Sequence, residues 1–307
     1  MKRIVSILLC LLMALGLIAI SACGTPTTAP PASTDAPGET EQPAASDVLI
    51  CGITDFAPMN FRNDEGEWVG FDTEFAMFVG QKLGMTVEFQ EIVWAQKYLE
   101  LNSGTINCIW NGFTANSSDD GKARGDLVDF SYSYLLNNQC IVVKADKAAN
   151  FKTLEDLAGK TVAAEAGSAG ENAARDAIGD AGTFVGAEKQ TDALVEVLSG
   201  AVDCAIVDVL LAQEKVGEGD MADLAIAEIE MKAEIYAIGF AKGSELTAKV
   251  NMAIKALYDE GALQLLAEKY GLENLLKLDF DFPPAGEAPA DTEAPAESAD
   301  IATPVAS

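Results

Sequence analysis

A chain of 307 residues with 49% hydrophobic content has material for one large core or, at the usual domain size of about 100–200 residues, for two ordinary ones. Its formal charge of −28 opposes any partner recognised through dense Lys and Arg, so no nucleic acid is expected. Histidine is absent, which excludes Ser-His-Asp and Cys-His catalysis and every metal site built on imidazole; no cofactor or metal is expected.

At the N-terminus, Lys2 and Arg3 precede an uncharged apolar run over 4–20 and then small residues, which reads as an export signal over 1–22. The run is short for a membrane-spanning helix. Ile20-Ser21-Ala22-Cys23 resembles the bacterial lipobox, in which the thiol of Cys23 receives a diacylglycerol and cleavage makes Cys23 the new N-terminus; two acyl chains suffice for stable anchoring. The alternative is an uncleaved signal anchor. Residues 23–46 are rich in Thr, Pro, Ala and Ser with no basic residue and read as a lipidated, disordered tether. Cys51, Cys108, Cys140 and Cys204 each stand singly in apolar, strand-like runs. Without C-x-x-C spacing they read as buried thiols, and a disulfide between two of them is left open.

From residue 47 the pattern is that of a folded domain. A strand is expected over 48–53, and behind it Phe71, Phe75, Phe78, Val79 and Leu83 recur at helical spacing as a core-facing stripe. Alternation over 87–91 predicts a strand, Tyr98 and Leu101 mark a short helix, and 106–110 returns to strand. A second series predicts strands at 140–143, 161–164, 184–185 and 203–207, with a helix over 192–198. A strand over 236–240 and helices over 246–258 and 263–270 end the folded part. The stretch 283–307, with Glu287, Asp291, Glu293, Glu297 and Asp300 and no basic residue, reads as a disordered acidic tail. Strands alternating with helices predict an α/β fold with largely parallel sheets.

One hexapeptide recurs: Ser103-Gly104-Thr105-Ile106-Asn107-Cys108 is echoed by Ser199-Gly200-Ala201-Val202-Asp203-Cys204. Each Ser-Gly is a helix stop, and the strand after it ends on a polar residue, Asn111 in the first copy and Asp208 in the second. Ligands of open α/β sheets bind beyond the carboxyl ends of strands, so these two ends predict the walls of a cleft.

In order along the chain, Phe56-Ala57-Pro58, Gly66-x-x-x-Gly70-Phe71-Asp72, Trp94, Ser103-Gly104, Asn111-Gly112-Phe113-Thr114, Arg124, Phe130-Ser131, Tyr134, Leu157-x-Gly159-Lys160 and Gly167-Ser168 resemble the polar amino acid substrate-binding proteins of ABC importers. These are the bacterial extracellular solute-binding proteins of family 3, and the resemblance covers about 47–272. It implies a two-lobed, periplasmic-binding-protein-like type II fold: two mixed sheets flanked by helices and a two-strand hinge, crossing near 134–141 and 227–235. Lobe 1 is expected over 47–137 with a return segment over 232–282, and lobe 2 over 138–231.

The resemblance implies that Arg124 grips a ligand α-carboxylate, for which a guanidinium is suited because it binds bidentately and stays charged when desolvated. It implies that the turn holding Ser168 and Ala169 receives the second carboxylate oxygen on helix amides. Asp208 would bind the α-ammonium, although a capping aspartate for the helix beginning near Val209 is an alternative. Gly112 would offer a carbonyl and Thr114 a hydroxyl, next to Asn111, and Phe56 and Trp94 would sandwich the ligand side chain. Two departures stand out: the segment 115–123 is longer than usual, a looped insertion before Arg124, and Ile53 stands where the family often has an acid for basic ligands. Asp55 or Asp72 is the alternative for that acid; with Met59, Trp94 and Gln139, Ile53 points to a neutral ligand. The expected partners are a neutral or polar amino acid, an ABC permease and, through the lipid anchor, the outer face of the cytoplasmic membrane; the protein is expected to be a monomer and not an enzyme. An enzyme on the same fold and a sensory module are the rival readings.

Overall fold

Helix punctuation and apolar periodicity set the elements of the computed structural model, which describes residues 47–282. The export signal, Cys23, the tether and the acidic tail lie outside the described residues. The stripe forms the helix Phe71–Leu83, with Phe71, Phe75 and Val79 buried. Phe75 meets the Trp110 and Tyr134 rings edge-on at centroid distances of 5.1 and 5.4 Å. Burying each such side chain stabilises the fold by roughly 1.5–3 kcal/mol.

Two main sheets share one plan. In the first, Thr86–Glu91, Val48–Ile53 and Cys108–Ile109 run parallel, and Gly239–Phe240 and Asp129–Phe130 follow antiparallel. In the second, Thr183–Ala187, Thr161–Glu165 and Cys204–Asp208 run parallel, then Ser133–Lys144 and Leu224–Ile226 antiparallel. The hexapeptide echo occupies the same place in both: a helix ended by a left-handed glycine, Gly104 or Gly200, then the third strand of the sheet. The 12-residue strand Ser133–Lys144 joins the two halves, pairing with Ala233–Tyr236 and Leu276–Asp279 at one end and with Cys204–Asp208 at the other.

Three local expectations change. The strand expected over 106–110 shortens to Cys108–Ile109. The one expected over 236–240 splits into Ala233–Tyr236 and Gly239–Phe240, because the chain leaves the crossing strand for the first sheet between them. The long segment 115–123 is not a plain loop: Ser118–Asp119 pairs with Lys122–Ala123 around Asp120 and Gly121, both at positive φ, the backbone of a tight hairpin turn. The four thiols are free and buried, with Cys51 and Cys108 Sγ 3.6 Å apart on neighbouring strands. No helix among the described residues is long and apolar enough to cross a membrane.

Candidate functional site

The carboxyl ends of strands from both sheets face one another across a small, closed-down cavity of about 10 Å³. Trp94, Asn111, Gly112, Thr114 and Arg124 line it from the first half, and Ser168, Ala169 and Asp208 from the second. Eight of the nine expected ligand residues therefore meet in one place. Phe56 does not line it; its ring lies behind Gly112, where a Cβ would stand 2.7 Å from Phe56 Cε1 and 2.9 Å from Tyr236 Cε2. At φ +55° and with no room for a side chain, only glycine fits there.

Arg124, 1% exposed, is held on every side. Its Nε and Nη2 donate to the two oxygens of Asp119 at 3.1 and 3.0 Å, Nη1 donates to the carbonyl of Thr114 at 3.0 Å, and Nη2 reaches the carbonyl of Gly167 at 3.3 Å. Lys97, equally buried, donates to the same Gly167 carbonyl at 2.8 Å and lies 3.4 Å from Asp119. Burial first, then the neighbouring Arg124, pulls the Lys97 ammonium down to about 8 against the attraction of Asp119. Desolvation works against the charge of Asp119, yet Arg124 and Lys97 hold it below the usual carboxylate range.

Asp208 precedes the helix Val209–Lys215 at its N-cap position but makes no capping hydrogen bond. Its carboxylate turns into the cleft, where Oδ1 accepts from Asn137 at 2.6 Å, Gln139 at 3.0 Å and the Tyr236 hydroxyl at 2.7 Å, and Oδ2 accepts from Gln190 at 2.6 Å. Burial raises its pKa and these four neutral donors oppose the rise. Beside it Glu234 Oε2 accepts from Thr114, Asn137 and Gln139; burial and Asp208 push it up to about 7. Ser168 caps the helix Ala169–Ile178 by accepting from the Glu171 amide at 3.1 Å, while the Gly167 amide donates to Glu171 Oε2 at 2.7 Å. Negative charge at this helix start is already supplied from within.

Five participants escape the sequence reading: Lys97, Asp119, Glu165, Gln190 and Glu234. Glu165 and Gln190 line the cavity, and Glu165 was findable, since it is the polar end of the strand Thr161–Glu165 as Asp208 is of its own. Lys97 and Gln190 carry no local signal, because an amphipathic helix start looks the same whether its polar residue faces water or a cleft. The cleft is shut. Besides the contacts at Gly167, Asn172 reaches Ser117 and Ser118, and Lys189 pairs with Glu91 at 2.8 Å. A wider groove alongside, lined in part by Leu154, Asn172, Ala173 and Met231, lacks opposed buried charges. Among the described residues no cluster could hold a metal ion.

The family model of bacterial extracellular solute-binding proteins, family 3, matches residues 48–273. The arginine-binding extracellular protein ArtP of Bacillus subtilis is 30% identical over 225 residues, spanning 72% of this chain and 85% of ArtP. The L-cystine-binding protein TcyJ of Escherichia coli K12 is 28% identical over 227 residues, spanning 73% and 82%. A solved ancestral arginine-binding protein bound to arginine superposes with a TM-score of 0.66 at 31% identity, covering 74% of this chain and 99% of that one.

Proposed function

The chain belongs to the bacterial extracellular solute-binding proteins of family 3 and has their two-lobed type II fold; on that premise we propose that it captures one free amino acid between its lobes and hands it unchanged to the permease of an ABC importer. The observation that carries this reading is the placement of Arg124 and Asp208, an opposed cation and anion from different halves, on one buried cavity. A zwitterion is the ligand that such a pair complements.

In the proposed complex the ligand carboxylate takes the Nη1 proton of Arg124 not directed at Thr114, together with amides at the first turn of Ala169–Ile178, which lack intrahelical acceptors. Its ammonium lies at Asp208 and the Gly112 carbonyl, and Trp94 walls the side chain. Thr114 orients both sides of this arrangement, its carbonyl on Arg124 and its hydroxyl on Glu234. Closure is a hinge motion on the strands Ser133–Lys144 and Ala233–Tyr236, with residues 47–137 and 232–282 as one lobe and 138–231 as the other. The export signal, a lipid on Cys23 and action as a monomer at the outer face of the membrane complete the reading.

Calorimetric titration of the mature chain with the twenty amino acids tests it. At least one should bind at micromolar affinity or better, about −8 kcal/mol, and Asp208→Ala should weaken that ligand by roughly 2–5 kcal/mol, since the ammonium then loses its buried partner. Unchanged affinity in that variant would reject the ammonium role.

A further inference from the structure

The cavity holds one acid that nothing in the protein answers. Glu165 lines it and is 4% exposed, yet among the described residues its carboxylate accepts no hydrogen bond and joins no ion pair. Every other acid around the cleft has partners: Asp119 has Arg124 and Lys97, Asp208 has four neutral donors, and Glu234 has three. Lys97 is near enough to attract Glu165, but its ammonium is directed at the Gly167 carbonyl and Asp119. A buried carboxylate without a partner is strongly disfavoured, and the deficit is met by a cation or by a proton. With the cavity empty it is met by a proton: burial first, then Asp208, pushes Glu165 up to about 8.

We propose that Glu165 is the residue that selects the ligand side chain, by receiving a cationic group on it, so that the captured amino acid is a basic one. This rests on the amino-acid reading above and deepens it. Nearest the cavity stand two cations, Arg124 and Lys97, and four acids, Asp119, Glu165, Asp208 and Glu234; further out, Lys189 and Asp192 act on Glu165 with opposite sign. An α-amino acid brings one further cation and one further anion, which Asp208 and Arg124 answer, and Glu165 is still alone. A side-chain ammonium or guanidinium supplies what is missing. The expectation of a neutral ligand rested on Ile53, where relatives often carry an acid, together with Met59, Trp94 and Gln139; Glu165 supplies a carboxylate from the opposite lobe, so the acid closes onto the ligand instead of awaiting it.

The test compares near-isosteres that differ in charge. L-arginine and L-citrulline, and L-lysine and L-glutamine, are titrated calorimetrically into the mature chain and into Glu165→Gln and Glu165→Asp. The wild type should prefer arginine to citrulline by about a hundredfold or more, Glu165→Gln should collapse that ratio towards one, and Glu165→Asp should keep part of it. Citrulline binding the wild type as tightly as arginine overturns the proposal without needing any variant to fold, and so does a Glu165→Gln variant that weakens charged and neutral ligands alike, the signature of a structural role. Failure of every amino acid to bind the wild type removes the amino-acid reading itself, and this inference with it.

Discussion

Single residues in this protein do work that their local sequence does not announce. Asp208 sits where a helix cap is expected and makes no cap, because three side chains and a tyrosine hydroxyl from elsewhere in the chain draw its carboxylate into the cleft. Asp72 is a second case. Buried at the start of the helix Phe71–Leu83, it accepts from the Gly112 amide at 2.8 Å and the Tyr134 hydroxyl at 3.0 Å, so it ties the cleft turn to the crossing strand. Its other oxygen has no hydrogen-bond partner. Burial raises it to about 7, against the pull of those two donors.

A carboxylate whose folded pKa exceeds its unfolded value binds a proton more tightly in the native state, so its contribution is fully present below about pH 4 and is lost as pH rises through about 7. Asp72→Asn removes that dependence. The thermal midpoint of the Asp72→Asn variant, relative to wild type, should therefore rise between about pH 4 and 7 and level off above that; a difference that does not change with pH would show that Asp72 is not the titrating group.

At the scale of elements, the helix Ala169–Ile178 illustrates how the site is aimed. Gly170 lies at its start, and a Cβ there would stand 2.8 Å from the Ile206 carbonyl and 3.1 Å from Gln139 Oε1. The missing side chain lets the helix press its first turn against the strands Cys204–Asp208 and Ser133–Lys144, bringing Ser168 and Ala169 to the cavity. Gly170→Val should lift the helix away, lowering stability by about 1–3 kcal/mol through overpacking and weakening ligand capture more than tenfold; native affinity in calorimetry would mean that the helix start does not contact the ligand. The hairpin in 115–123 is the counterpart in the first lobe. Its Asp119 holds Arg124 and Lys97 in place, so the unusually long segment between Thr114 and Arg124 serves the site and leaves Arg124 facing the cavity.

For the whole molecule, the described residues make few direct contacts across the cleft away from the crossing strands, where Asn137 and Tyr236 already bind Asp208. Lys189 and Glu91 are substantially exposed, and such a pair contributes about 0–1 kcal/mol; the bonds of Lys97 and Arg124 to Gly167 and of Asn172 to Ser117 and Ser118 add to this. In the proposed mechanism closure is then weakly held without a ligand, and a ligand bridging Arg124 and Asp208 would supply the difference between the two states. At a thousandfold excess over Kd, binding should stabilise the fold by about 4 kcal/mol, which corresponds to a rise in Tm of roughly 8–16 °C for a chain of this size. The radius of gyration from small-angle X-ray scattering should fall on ligand addition. A radius that stays constant while Tm rises would mean that the protein is already closed when empty.

Local rules were enough for what is local. Apolar periodicity located the long helices and most strands, and the echoed Ser-Gly stops located the third strand of each sheet, because helix stripes, strand runs and left-handed caps are written in neighbouring residues. The ordered motif, read together, brought out Arg124 and most of the first-half cavity wall, and the echoed strand end brought out Asp208. Tertiary structure alone decided which of these groups are free and which are engaged: that Asp208 faces the cleft and not its helix, that Phe56 stands behind Gly112, that Lys97 and Asp119 brace Arg124, and that Glu165 is buried without a partner. Those outcomes depend on how the folded chain packs residues within and between its halves, as where Asn137 and Asp208, far apart in the sequence, come within 2.6 Å, a distance that no local pattern encodes.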